Sequence, residues 1–175
     1  MRSSVVLLIP MVLTGLLTIA APRAAAETYH GTVVDAETKA PLEGAVVVVV
    51  WHRKPIVTMN GPQYFHKAVE VLTDAAGKFA VDASPGIDWN PFTYVLKEPL
   101  IVIFMPGYGP FPWAHVKTKS VRELKEAIRT EGATIALPKL KSKEDLRKFS
   151  SIGSLLLDPL IPDDRIPNLM RLLNV

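Results

Sequence analysis

The sequence predicts an all-β sandwich followed by short C-terminal helices. Two unbroken apolar strands, residues 45–51 and 100–105, support this, as does a series of β-branched segments separated by Gly, Pro and Asp turns. Residues 46–50 are five consecutive valines. Branching at Cβ restricts the side chain in a helix and suits a pleated sheet, so this run is a strand. It has no polar alternation, so both of its faces must be covered and it lies at the centre of a packed sandwich.

The first 26 residues are set aside from the fold. Arg2 gives a positive start, residues 5–21 are largely apolar, and Ala24 and Ala26 supply the small residues that a signal peptidase reads. The run is short beside the roughly 20 residues of a membrane helix, and Pro10 and Gly15 interrupt it. Residues 1–26 are therefore read as a secretory signal peptide, leaving no membrane span after cleavage. Removal leaves 149 of the 175 residues, enough for one domain with its own core. Losing Arg2 and Arg23 lowers the formal charge from +3 to +1, which leaves no field that would attract nucleic acid. The absence of cysteine excludes thiol catalysis, thiolate metal sites and lipidation at cysteine. An exported domain without disulfides is held by its core alone, which fits a bacterial envelope, either periplasmic or extracellular.

Along the remaining chain, residues 29–34 read as a first strand, with Gly31 expected at a bulge. Residues 35–41 form a turn in which Asp35 and Thr38 hydrogen-bond local amides. Residues 52–66 are expected to connect two strands, with a short strand at 55–59. In the strand at 67–73, Val69, Val71 and Thr73 share one face and Ala68, Glu70 and Leu72 the other. Asp74 and Gly77 are expected to close a hairpin into the strand at 78–82, which turns Phe79 and Val81 inward. Residues 84–97 read as an ordered loop with a short strand. Val121, Leu124, Ala127 and Ile128 have helical spacing, with Ser120 as N-cap and Gly132 as the stop. A last strand spans 134–137. Ser142 with Asp145 resembles a helix start, and residues 166–173 form a terminal amphipathic helix. Asp163 and Asp164 stand where they would cap its positive end.

Two segments resemble the carboxypeptidase regulatory-like family. The first reads Gly31-Thr32-Val33-Val34-Asp35-Ala36-Glu37-Thr38, then Pro41-Leu42-Glu43-Gly44-Ala45-Val46-Val47. The second reads Thr73-Asp74-Ala75-Ala76-Gly77-Lys78-Phe79, with a weaker echo at Pro106-Gly107-Tyr108. The resemblance covers residues 27–110. It implies a seven-stranded transthyretin-like Greek-key sandwich, here assigned to residues 27–140, with 141–175 as a C-terminal helical extension. Gly44 is expected to admit close strand approach. Family members often have glycine where this chain has Lys39. The resemblance implies an accessory folding or binding module without catalytic residues. Similar folds also include hydroxyisourate hydrolases, which need a Tyr-Arg-Gly-Ser tail, whereas this chain ends Arg171-Leu172-Leu173-Asn174-Val175. They include iron dioxygenases too, and the close histidine pair of those enzymes is missing.

The four histidines, His30, His52, His66 and His115, lack metal-site spacing along the chain. His52 and His66 could meet across a hairpin, completed by Glu70 or Asp74, but solvated loop histidines are the preferred reading, so no metal or cofactor is expected. No serine occupies a Gly-x-Ser-x-Gly elbow. Aromatic residues crowd the loops, and Trp89, Phe92, Tyr94, Tyr108, Phe111 and Trp113 are the expected contact surface. The function expected is a non-catalytic binding or assembly module acting on an envelope protein partner. Carbohydrate recognition by the loop aromatics, a structural subunit of an extracellular assembly and a small metal-dependent enzyme are the alternatives.

Overall fold

A computed structural model describes residues 28–57, 61–82, 84–86, 90–112, 121–130, 132–145, 147 and 161–174. The expected signal peptide and Ser120 lie outside them. Seven strands form two sheets: β1 (Thr28–Asp35), β2 (Val46–Pro55), β3 (Tyr64–Leu72), β4 (Lys78–Asp82), β5 (Tyr94–Leu96), β6 (Leu100–Phe104) and β7 (Ala133–Leu137). Helix α1 (Val121–Thr130) precedes β7, and α2 (Pro167–Leu173) ends the described chain after a 3-10 turn at Asp163–Arg165. Sheet A runs β4-β1-β7, with β7 parallel to β1. In sheet B, β3 flanks one edge of β2, while β6 and β5 share the other edge in succession.

The valine strand is central, as expected. Val47, Val49 and Trp51 enter the core between the sheets, with Tyr29, Val33, Phe79, Ile101, Ile103, Ile135 and Leu137. Helix α1 adds Leu124 and Ile128 to the same core. Val46, Val48 and Val50 lie on the opposite face with Val102, under a second cluster formed by Ile161, Ile166 and Leu169. The C-terminal segment is thus the cover that the all-valine strand requires.

Glu70 holds that cover in place. Its carboxylate accepts the amides of Asn168 at 2.6 Å and Leu169 at 3.1 Å. These amides open α2, where a helix has unpaired donors and a partial positive charge. Asp163 and Asp164 were expected in this role, but both are exposed in the 3-10 turn, where Asp164 pairs with Arg165 at 3.7 Å. Ser142 does start a helical turn: its hydroxyl accepts the Asp145 amide at 3.0 Å, and the Asp145 carboxylate accepts the Ser142 amide at 3.1 Å.

The turn at Asp35 forms as read from the sequence. The Asp35 carboxylate accepts the amides of Glu37 at 2.8 Å and Thr38 at 2.9 Å, and the Thr38 hydroxyl accepts that of Ala40 at 3.3 Å. Lys39 adopts φ 61°, the left-handed conformation that glycine takes without strain. Its ammonium offsets part of the cost by donating to the Ala36 carbonyl at 2.7 Å.

Four local expectations are corrected. Gly31 is not at a bulge: it keeps register with Phe79 and Ala133, and a Cβ there would come within 2.6 Å of the Ala133 oxygen. The register shift lies instead between β2 and β3 at Trp51 and His52. Gly44 has open space around its Cβ position, so its φ of 77°, not close packing, requires glycine. Residues 52–55 and 64–66 extend β2 and β3, which shortens the connection between them. Finally, Asp74 and Gly77 make a tight turn but close no hairpin, because β3 pairs in sheet B and β4 in sheet A. The turn is an arch between the sheets. Thr73 anchors its base by donating to the Leu42 carbonyl at 2.6 Å and accepting the Ala45 amide at 2.9 Å.

Candidate functional site at the end of sheet B

Trp51 is the last residue of β2 in the inter-sheet core. Beyond it, Arg53 and Pro55 continue on the same face of the strand, at two-residue spacing. Arg53 lies opposite Tyr64 of β3, and Pro55 lies opposite Tyr94 of β5. The Arg53 guanidinium stacks over the Tyr94 ring at 4.8 Å, and the Tyr64 ring meets Tyr94 edge-on at 6.4 Å. One step inward, the Lys67 ammonium lies 5.8 Å from the Trp51 ring. Cations and aromatic rings therefore meet along this end of the sheet, with the faces of Tyr94 and Trp51 each attracting a positive charge.

The loop before β5 presents further apolar surface. The Asn90 side chain accepts the Phe92 amide at 2.9 Å, and its carbonyl accepts those of Thr93 and Tyr94, both at 3.1 Å. An Asn-Pro pair favours such a turn, and here it leaves Phe92 88% exposed. The Ile56 amide donates to the Thr93 carbonyl at 2.9 Å, extending the β2–β5 ladder and bringing exposed Ile56 and Val57 beside the loop. Val95 and Tyr64 are also exposed.

The six aromatics expected at the contact surface are distributed differently. Phe92 and Tyr94 belong to this patch. Trp89 and Trp113 lie outside the described residues. Phe111 is fully buried: its backbone pairs with Ile103 and its ring joins the inter-sheet core, so it is a packing residue. Half-buried Tyr108 is a clasp. Its hydroxyl donates to Asp35 at 3.1 Å, while the Gly107 carbonyl accepts the Leu140 amide at 2.8 Å and the Gly109 amide donates to Pro138 at 2.8 Å. The Thr38 and Glu37 amides hold the Asp35 carboxyl below its ordinary range, with Tyr108 adding to the effect. Burial, then the Asp35 charge, pushes the Tyr108 phenol up. Glu37 raises Lys141 through a surface pair at 2.6 Å. These shifts have structural causes in the turn itself.

The conceivable metal set is dispersed. His66 Nε2 donates to the Pro85 carbonyl at 2.8 Å, His52 is buried opposite Phe65, and Glu70 is committed to α2. Asp74 accepts the amides of Ala76 and Lys78. His115 lies outside the described residues, among which no three His, Cys, Asp or Glu side chains gather as a metal site would require.

Sheet A carries a different feature, an open concavity of about 590 Å³ lined by residues that include His30, Thr32, Lys78, Ala80, Gly132 and Thr134. Gly31 and Gly132 are among its lining residues, and the His30 ring occupies the space that a Cβ on Gly132 would need. Sequence reasoning recognised Phe92 and Tyr94 but missed Arg53, whose stacking depends on a register that brings β2 and β5 together.

No family model, no curated protein and no solved structure matches the chain.

Proposed function

We propose that the protein is an exported, non-catalytic binding or assembly module with a transthyretin-like Greek-key topology, acting on a protein partner in a bacterial envelope. The observation that carries the reading is the set of exposed apolar side chains at this end of sheet B, Ile56, Val57 and Phe92 beside Tyr64 and Tyr94, with Val95 on the opposite face of β5 from Tyr94. Among the described residues the outer valines of sheet B lie under α2 and α1 packs against β1 and β7, while Leu72 at the far end of β3 is the one other large apolar side chain left exposed. A chain that covers so much apolar surface and leaves Phe92 and Val57 in water keeps them for contact, because contiguous exposed apolar groups rimmed by charge characterise interaction sites. The two-sheet arrangement and the motif around residues 31–47 support the topology, and the apolar N-terminal run with its Ala-Ala-Ala end supports export.

The test is in-cell crosslinking followed by purification of the wild type and of a Val57→Ser, Phe92→Ser double variant. The expected result is one stoichiometric protein partner, lost in the variant. Retention on insoluble polysaccharide without a protein partner would transfer the patch to carbohydrate recognition. Concentration-dependent polymerisation of the pure protein would make it a structural subunit.

A further inference from the structure

We infer that the partner segment received at the end of sheet B is acidic: an extended peptide whose carboxylates alternate with apolar side chains. This rests on the binding-module reading and adds the partner's chemistry. Three observations carry it.

The first is the local charge. Residues 52–57, 64–67 and 92–98 contain four cations, Arg53, Lys54, Lys67 and Lys97, against the single carboxylate of Glu98. The whole chain is nearly balanced, so this imbalance belongs to the patch. Lys54 follows Arg53 and points to the opposite face of β2, so it adds to the positive field at this end of the sheet and not to the face that carries Arg53.

The second is the state of these cations. Lys67 donates to the Ser84 carbonyl at 2.7 Å, but Arg53, Lys54 and Lys97 have no ion pair among the described residues. Arg53 is the informative one. Its Nε is buried with no hydrogen-bond partner among the described residues, and its guanidinium carbon lies over the Tyr94 ring at 4.8 Å. A guanidinium held by a ring, with no carboxylate partner among the described residues, is set to receive a planar anion through its remaining donors.

The third is the alternation of side chains. Arg53 sits between Tyr64 and Tyr94 and is followed by Ile56 and Val57, while Lys97 follows Tyr94 and Val95. A purely anionic ligand would leave the apolar members wet, and a purely apolar one would desolvate Arg53 without replacing its lost water. An extended segment that alternates the two satisfies both.

The experiment uses the purified protein and two fluorescein-labelled peptides of equal length, one alternating Asp and Leu with Gly spacers, the other Lys and Leu. Binding is followed by anisotropy. The acidic peptide is expected to bind and the basic one to fail. Binding should weaken as salt rises from about 20 to about 300 mM. Arg53→Gln should weaken it by about tenfold or more, as expected for loss of a charge-assisted contact. Lys39→Gln, remote from the patch, should leave it unchanged, and the Arg53→Gln melting temperature should match wild type. Equal binding of both peptides, weakened by Phe92→Ser but not by Arg53→Gln, would overturn the acidic assignment and leave the binding module standing. Absence of binding by the acidic peptide would overturn it as well. The co-purification experiment separately decides whether there is a protein partner at all.

Discussion

Glu70 and Asn168 stand 98 positions apart in the chain, and the carboxylate of the first accepts the amide of the second at 2.6 Å. This bond, with its neighbour to Leu169, joins the edge strand of sheet B to the helix that covers the sheet's outer valines. Glu70→Ala should cost about 1 kcal/mol, the usual value of a lost helix N-cap. Glu70→Gln should cost less, since its amide oxygen still accepts one bond. Urea unfolding of the three proteins checks the order. A loss in Glu70→Ala no larger than that of an exposed control such as Glu43→Ala would show that the cap does not hold α2.

The clasp between Asp35 and Tyr108 predicts a stability profile with two separable limbs. The folded-state pKa of Asp35 is depressed, so its contribution is full above the unfolded value of about 3.9 and is lost as pH falls through the folded value. Tyr108 is raised, so its contribution is full below about 10 and is lost as pH rises through its folded value. Melting temperatures across pH should therefore show Asp35→Asn flattening the acid limb. Tyr108→Phe should flatten the alkaline limb and leave most of the acid one, because the Thr38 and Glu37 amides are the larger causes of the Asp35 shift. A Tyr108→Phe variant that lost the acid limb entirely would contradict this division.

Two glycines should respond differently to the same methyl group. Gly31→Ala places Cβ 2.6 Å from the Ala133 oxygen, so β7 must move off β1, at an expected cost of at least about 2 kcal/mol. Gly44→Ala meets nothing and bears only its left-handed φ, at about 1 kcal/mol. Denaturant midpoints compare the pair directly, and equal losses would refute the distinction.

Phe111 and Phe92 make a parallel contrast. Phe111→Ala empties part of the inter-sheet core and should cost about 3–5 kcal/mol. Phe92→Ser exposes nothing new and should stay within about 0.5 kcal/mol. Calorimetry would detect either departure.

Much of this architecture was legible in the sequence because it depends on near neighbours. The valine run, the Asp35 and Asp74 turns, the inward Phe79 and Val81, the stop at Gly132 and the capping box at Ser142 each follow from residues within a few positions of one another. The candidate site was half legible: Phe92 and Tyr94 announce themselves in a Pro-bearing loop, whereas Phe111, equally loop-bound in sequence, enters the core because its backbone pairs with Ile103.

By itself, then, the sequence determined where the chain turns, which strand must be covered on both faces and where most strands lie, but not how far β2 and β3 extend. Tertiary structure alone decided that β3 and β4 belong to different sheets and that Glu70 rather than Asp163 or Asp164 caps the last helix. It also decided that Arg53 lies between Tyr64 and Tyr94. The physical reason is range. Periodicity, turn chemistry and propensity act over a few residues. Sheet membership, caps from a distant strand and cation–ring stacking depend on which remote segments reach the same place, and that is settled only when the two cores pack together.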